Sequence, residues 1–171
     1  MPTQEPEVVD QRVTLLECLH AQRRHVLGIV EGLTDEDFRR AVLPSGWSPL
    51  GILQHLTLDD ERFWFQAVVA GNQDVIAGLN EESSAWEVDP GASAQDVLGL
   101  YRREIDRSNS IIASTPLNAP PTWWPDFFGD FRLRDLHEIM LHVIAETACH
   151  AGHLDAVREI IDGRQWLVLT E

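Results

Sequence analysis

The sequence predicts an all-α protein, a four-helix bundle with long crossover connections. Three observations carry that prediction. Four long segments repeat apolar side chains at a helical period, no comparable stretch alternates apolar and polar residues as a half-buried strand would, and the connections between the segments are unequal in length. The first segment runs from about Glu7 to Gly32, with Val9, Leu15, Leu16, Leu19, Val26 and Ile29 in rough helical phase and Gly32 as its stop. The second begins at Ser48-Pro49, an N-cap followed by proline at the first helical position, and continues to Ala70-Gly71. The third starts near Ser93, with Asp96 completing a partial capping box, and reaches about Ala113. The fourth spans Leu133 to Ile161 and ends at Asp162-Gly163. Trp166 to Thr170 reads as a short extended tail, and the two stretches Thr34–Trp47 and Asn80–Gly91 read as loops.

Composition narrows the class. A chain of 171 residues accommodates one domain, taken as residues 1–171, around a single core. The net charge of −15, with basic residues scattered, argues against nucleic acid and against anionic membrane surfaces as partners. All 13 basic residues are arginine, which suggests a GC-rich genome and excludes Schiff-base chemistry through a side-chain amine. Cys18 and Cys149 have no metal-site or redox spacing and are expected as small buried apolar residues. No apolar run approaches the ~20 residues needed to span a bilayer, and the acidic N-terminus does not resemble a signal peptide, so a cytoplasmic location is expected.

The stretch from His142 to His153 carries most of the chemistry. On a helix, Glu146, His150 and His153 fall within a narrow arc, one turn beyond His142, and Ile139, Val143, Leu154, Val157 and Ile161 project to the same side. A carboxylate and imidazoles in a core-facing stripe are costly unless paired or metal-bound. The second segment repeats the pattern, with His55 flanked by Ile52, Leu58, Phe63 and Val69, and with Asp59 and Arg62 one and two turns on. One histidine from one helix and Glu-x-x-x-His from another suit a three-ligand divalent site that leaves positions open for water or substrate. Zinc is the first expectation, with nickel or iron as alternatives. His142 and His153 are near enough to compete as ligands or to support them. His20, His25 and His137 lack such a setting. Trp123, Trp124, Phe127 and Phe128, on the third connection, either cap one end of the bundle or wall an apolar pocket, and Trp47 is expected to staple the loop before the second helix.

Two stretches also carry a family likeness. Gly46-Trp-Ser-Pro-Leu-Gly-Ile-Leu-Gln-His55-Leu resembles the second-helix entry of the DinB-like superfamily of four-helix metalloproteins. His142-Val-Ile-Ala-Glu146-Thr-Ala-Cys-His150-Ala-Gly-His153, continuing to Gly163, resembles the fourth-helix signature of an actinobacterial branch, and its glutamate is similar to that of the mycothiol-dependent maleylpyruvate isomerases. The resemblance implies His55, Glu146 and His150 as metal ligands, with His153 as a nearby polar group. It also implies thiol-dependent transferase or isomerase chemistry with mycothiol as a co-substrate. Those isomerases carry a further C-terminal domain, which this chain is not expected to share, so isomerase activity is not expected.

The leading expectation is a metal-dependent thiol S-transferase joining a small-molecule thiol to an electrophilic substrate. The metal activates the cofactor thiol, His153 or Asp59 serves in proton transfer or ligand orientation, and Arg62 holds an anionic group. Asp59 and Arg62 satisfying one another is the bland alternative. A metal-dependent hydrolase and a non-enzymatic, metal-stabilised binding or stress protein are the alternative functions. The second and fourth helices are expected side by side, and a homodimer is expected through the outer helix faces.

Overall fold

The computed structural model describes residues 10–79 and 85–166, and every regular element among them is helical. In chain order these are α1 (Gln11–Ile29), α2 (Asp35–Arg39), α3 (Pro49–His55) running directly into a π-helical segment (Leu56–Val69), α4 (Gln73–Gly78), α5 (Ala94–Ser114), a 3-10 turn (Asp126–Phe128) and α6 (Leu136–Asp162). The four long members are α1, α3 with its π continuation, α5 and α6. The fold is thus the expected all-α, DinB-like bundle, with α1 packed along α6 and α5 along the π segment. The second and fourth helices meet, because α6 also packs on α3 and the π segment.

Local chemistry sets the ends. The Ser48 hydroxyl accepts from Gly51 N–H with Pro49 in the first turn, Ser93 and Asp96 form a complete capping box, and α6 stops at Gly163, which sits in the left-handed region at φ 79°. Gly71 turns the chain out of the π segment at φ 66°, and a Cβ there would come within 2.6 Å of the Thr122 side chain, so this corner admits only glycine. Buried Arg158 donates to the carbonyls of Ile29 and Glu31, and Arg164 also donates to Glu31, tying the end of α6 to the C-terminal end of α1.

Three features depart from the sequence expectation. The short helix α2 lies inside a stretch read as loop, and α4 lies between the expected end of the second helix at Gly71 and the loop expected from Asn80, where the sequence predicts no element. The second helix does not keep an α register, since from Leu56 each turn holds one more residue, as Ala70 N–H bonding to Phe65 C=O illustrates. Both cysteines are exposed, not buried, because they fall outside the core stripes of α1 and α6. The expected extension over Leu167–Thr170 lies outside the described residues, as does the start of the first segment before Asp10.

The core has two apolar halves. One gathers Val26, Ile29, Leu53, Tyr101 and Leu154, and the other Leu19, Phe65, Ile112, Ile139 and Val143. Between them each long helix contributes buried polar side chains: Arg23 from α1, Asp60 and Glu61 from the π segment, Glu104 and Ser108 from α5, and Thr147 from α6. A polar layer therefore crosses the bundle at mid-height. Arg23 and Glu61 form its centre through a bidentate pair at 2.6 Å for both bonds, with Arg23 also donating to Asn109. The candidate site opens from one side of this layer.

Candidate functional site

His55 ends α3, and His150 lies on the facing side of α6. Their ring centroids are 4.8 Å apart, in an edge-on arrangement. His55 Nδ1 is 2.8 Å from Asp59 Oδ2, one turn along, which leaves Nε2 available. A carboxylate holding one imidazole nitrogen while the other is free is the arrangement that orients histidine ligands in metal sites. Trp86 stacks on the opposite face of the site, nearly parallel to His55 at 4.2 Å and 5.7 Å from His150. Burial, reinforced by the neighbouring His55 and His153, pushes the His150 pKa down to about 4, so its ring is neutral at physiological pH. A neutral imidazole is the form that binds a metal.

Glu146 sits one turn before His150, its Oε2 3.9 Å from His150 Nε2 and its side chain half-exposed. Bound zinc holds carboxylate oxygen and imidazole nitrogen at roughly 2.0–2.2 Å. Among the described residues no three side chains of ligating type are already drawn together at such distances. The donor set nevertheless fits a borderline divalent ion: two imidazoles in contact, and a half-exposed carboxylate one turn before His150. His153 is exposed, its Nδ1 3.4 Å from His150 Nδ1 and its ring 5.4 Å from Trp47. Trp47 itself packs on the core, as expected of a loop staple.

The polar row of α6 does not run down the middle of its core stripe. Val143, Thr147, Ala151 and Leu154 occupy that stripe, while Glu146, His150 and His153 lie on its flank. Arg62 likewise departs from the row around His55. Its guanidinium pairs with buried Glu104 on α5 at 2.8 Å, and Asp59 pairs with His55, so the two do not satisfy one another. Of the remaining histidines, His25 bonds Asp155 and stacks on Trp166, and His20 lies 3.1 Å from Asn109.

Below His55 opens an apolar cleft of about 380 Å³, lined by Phe63, Trp64, Phe127, Phe128 and His142, with Asp59, Asp60 and Glu146 on its polar side. Trp64 stacks on Phe128, and Trp123, Trp124 and Phe128 also pack against the lower core, so the aromatic connection both caps the bundle and walls a pocket. Phe127 alone of these aromatics is largely exposed, at the rim. Burial lowers the His142 pKa, partly offset by Glu146.

Asp60 was not singled out by the sequence. It is 3 % exposed, lines this cleft, and its Oδ2 has no hydrogen-bond partner. Burial first, and then the carboxylates of Glu146, Glu61 and Asp59, raise its pKa well above the ordinary aspartate range. The signal in the sequence was the pair Asp59-Asp60 after His55, but an α register turns only one of them inward, and the π register is needed to bury the second. Because the folded pKa lies above the unfolded one, the folded state keeps a proton that the unfolded state releases once pH passes about 4, and stability falls as pH rises beyond that point. Asp60→Asn is expected to stabilise the metal-free protein at pH 8 by about 1–3 kcal/mol, with a smaller gain at pH 5. Thermal melts at the two pH values check this, and equal gains at both would contradict it.

A model of the mycothiol-S-transferase family matches residues 14–163 of the chain. No curated protein sequence matches it significantly. The matched span takes in α1 from Thr14, the other long helices entire and every residue of the site, and the chain belongs to the mycothiol-S-transferase family.

Proposed function

We propose that the chain is a divalent-metal-dependent thiol S-transferase that joins the thiol of mycothiol to an electrophilic substrate, with His55, Glu146 and His150 as the metal ligands. The observation that carries the reading is the contact of His55 and His150 at the head of an aromatic cleft, with His55 already oriented by Asp59. Family membership supports the transferase chemistry. An ion of the zinc type, when bound, lowers the pKa of a thiol and keeps it as thiolate.

The chain's own residues supply the rest. Asp59 holds His55 Nδ1 and so fixes the ring that presents Nε2. His153, exposed beside His150, takes the proton released when the S–H bond gives way to an S–C bond and passes it to water. Phe63, Trp64, Phe127 and Phe128 exclude water from the electrophile's apolar body. Asp60, which lines that cleft and whose carboxyl burial pushes toward the protonated form, donates a proton to the atom that leaves the electrophile and regains one from water. Arg62, held by Glu104, presents its remaining donors to polar parts of the substrates. Hydrolysis is the weaker reading, because the chain belongs to the mycothiol-S-transferase family, whose name points to thiol transfer.

A homodimer through the outer helix faces belongs to the same proposal, since two-fold dimers are the commonest closed assembly, and sedimentation at micromolar concentration showing only the 19.3 kDa monomer would refute it. A cytoplasmic setting accords with the absence, among the described residues, of any helix long and apolar enough to cross a membrane. The test of function is thiol consumption by zinc-loaded protein supplied with mycothiol and an alkylating electrophile such as chlorodinitrobenzene. Catalysed loss of free thiol that a chelator abolishes is expected. Release of hydrolysed substrate with no thiol consumed would replace the proposal with the hydrolase, and inactivity in both assays would leave a binding protein.

A further inference from the structure

A second hollow, of about 640 Å³, adjoins the aromatic cleft and shares Asp59 and Leu79 with it. Its character is different. The wall carries Asp59, Arg62, Gln66, Asn72, Asp74 and Arg107, drawn from the π segment, α4 with its cap, and α5. Three of these side chains are fixed by a single group. Glu104, fully buried, receives Arg62 and Arg107 on Oε1 at 2.8 and 2.6 Å, and Gln66 on Oε2. Taking a carboxylate wholly out of water is costly unless its lone pairs are filled, and here three donors from two helices fill them. The result is a set of guanidinium and amide groups whose directions are set before any ligand arrives.

The charge balance identifies the ligand class. Among the described residues two arginines stand against Glu104, Asp59 and Asp74, a balance with no net positive charge and a poor seat for phosphate or carboxylate. The trough offers donors on Arg62 and Arg107, held by Glu104, and acceptors on Asp59, held by His55, and on exposed Asp74. A neutral ligand with many hydroxyls, each able to donate and accept, matches such a surface, and the volume lies within the range of small-ligand sites.

We propose that this trough binds the neutral polyhydroxylated arm of the thiol co-substrate, its glucosamine–inositol portion, while the aromatic cleft takes the electrophile. The thiol then reaches the site where the two hollows join, at Asp59 and its partner His55. The inference rests on the mycothiol reading above and adds to it the place of each substrate.

The test uses a probe with no thiol, the N-acetylglucosaminyl-inositol pseudodisaccharide, titrated into the full chain and followed by two-dimensional amide resonances. Saturable shifts at Gln66, Asn72, Asp74 and Arg107 are expected, with affinity reduced tenfold or more in Arg107→Ala and in Asp74→Ala. Both replaced side chains lie on the surface, and unchanged circular dichroism verifies that the variants are folded. Shifts confined to Phe63, Phe127 and Phe128, no saturable response at roughly 10 mM probe, or full affinity in both variants would overturn the proposal. Because the probe cannot undergo thiol transfer, its binding is decided independently of the function assay. A transferase that ignores the probe loses only this placement, whereas a chain that binds it without consuming thiol loses only the transferase reading.

Discussion

Glu61→Ala is expected to destabilise the protein by about 3–5 kcal/mol, the largest stability effect of any single replacement in the polar layer. Arg23 and Glu61 are 2 % and 1 % exposed and Arg23 donates two bonds at 2.6 Å to the carboxylate, so removing it leaves a guanidinium in the interior with Asn109 as its one remaining side-chain partner among the described residues. Against a typical total stability of about 5–15 kcal/mol, that loss brings the midpoint of thermal unfolding down by roughly 6–20 °C. The cause is the stranded charge more than the lost attraction. Replacing both partners, as Arg23→Met with Glu61→Leu, is therefore expected to recover most of the loss. Thermal unfolding of the two single variants and the double variant checks this. A double variant as unstable as the sum of the singles would show that the pair itself, and not the unpaired charge, sets the cost.

His150→Ala is expected to have the opposite profile, with little change in stability and a large change in function. His150 sits on the flank of α6, outside the apolar stripe of Val143, Ala151 and Leu154, so the core is intact without it. Small zinc domains unfold when their metal leaves because binding supplies most of their folding energy, whereas a 171-residue bundle is stabilised mainly by apolar burial. The variant is expected to keep its helical circular dichroism, to lose bound metal, and to lose thiol transfer by about 10²-fold or more. Unfolding at room temperature would mark the metal as structural, and full metal occupancy would remove His150 from the ligand set.

Much of this architecture was legible in the residues. Ser48-Pro49, the Ser93/Asp96 pair and Gly163 announce helix ends through local hydrogen bonding, which needs no tertiary context. The proximity of His55 and His150 was legible too, because the second and fourth helices were expected side by side, although His150 lies on the flank of the α6 core stripe and not within it. What could not be read depends on register and on long-range pairing. The π segment adds a residue to each turn, so a 3.6-residue period misplaces Asp60 and Glu61, and both appear as surface carboxylates when they are buried. Glu104 and Arg62 each look solvated in sequence, and only the packing of α5 on the π segment brings them together. Trp86 falls in a stretch that reads as polar loop, yet it stacks on His55, and a lone tryptophan in such a stretch was the available hint.

The most direct test of the account is X-ray absorption at the zinc edge on protein purified without a metal-affinity step and dialysed against one equivalent of zinc. The account predicts one tightly held ion with two imidazole nitrogens and a carboxylate oxygen at roughly 2.0–2.2 Å, and loss of one imidazole from the spectrum in His55→Ala. Zinc that washes away in dialysis, or a bound ion whose shell contains no imidazole, would contradict it.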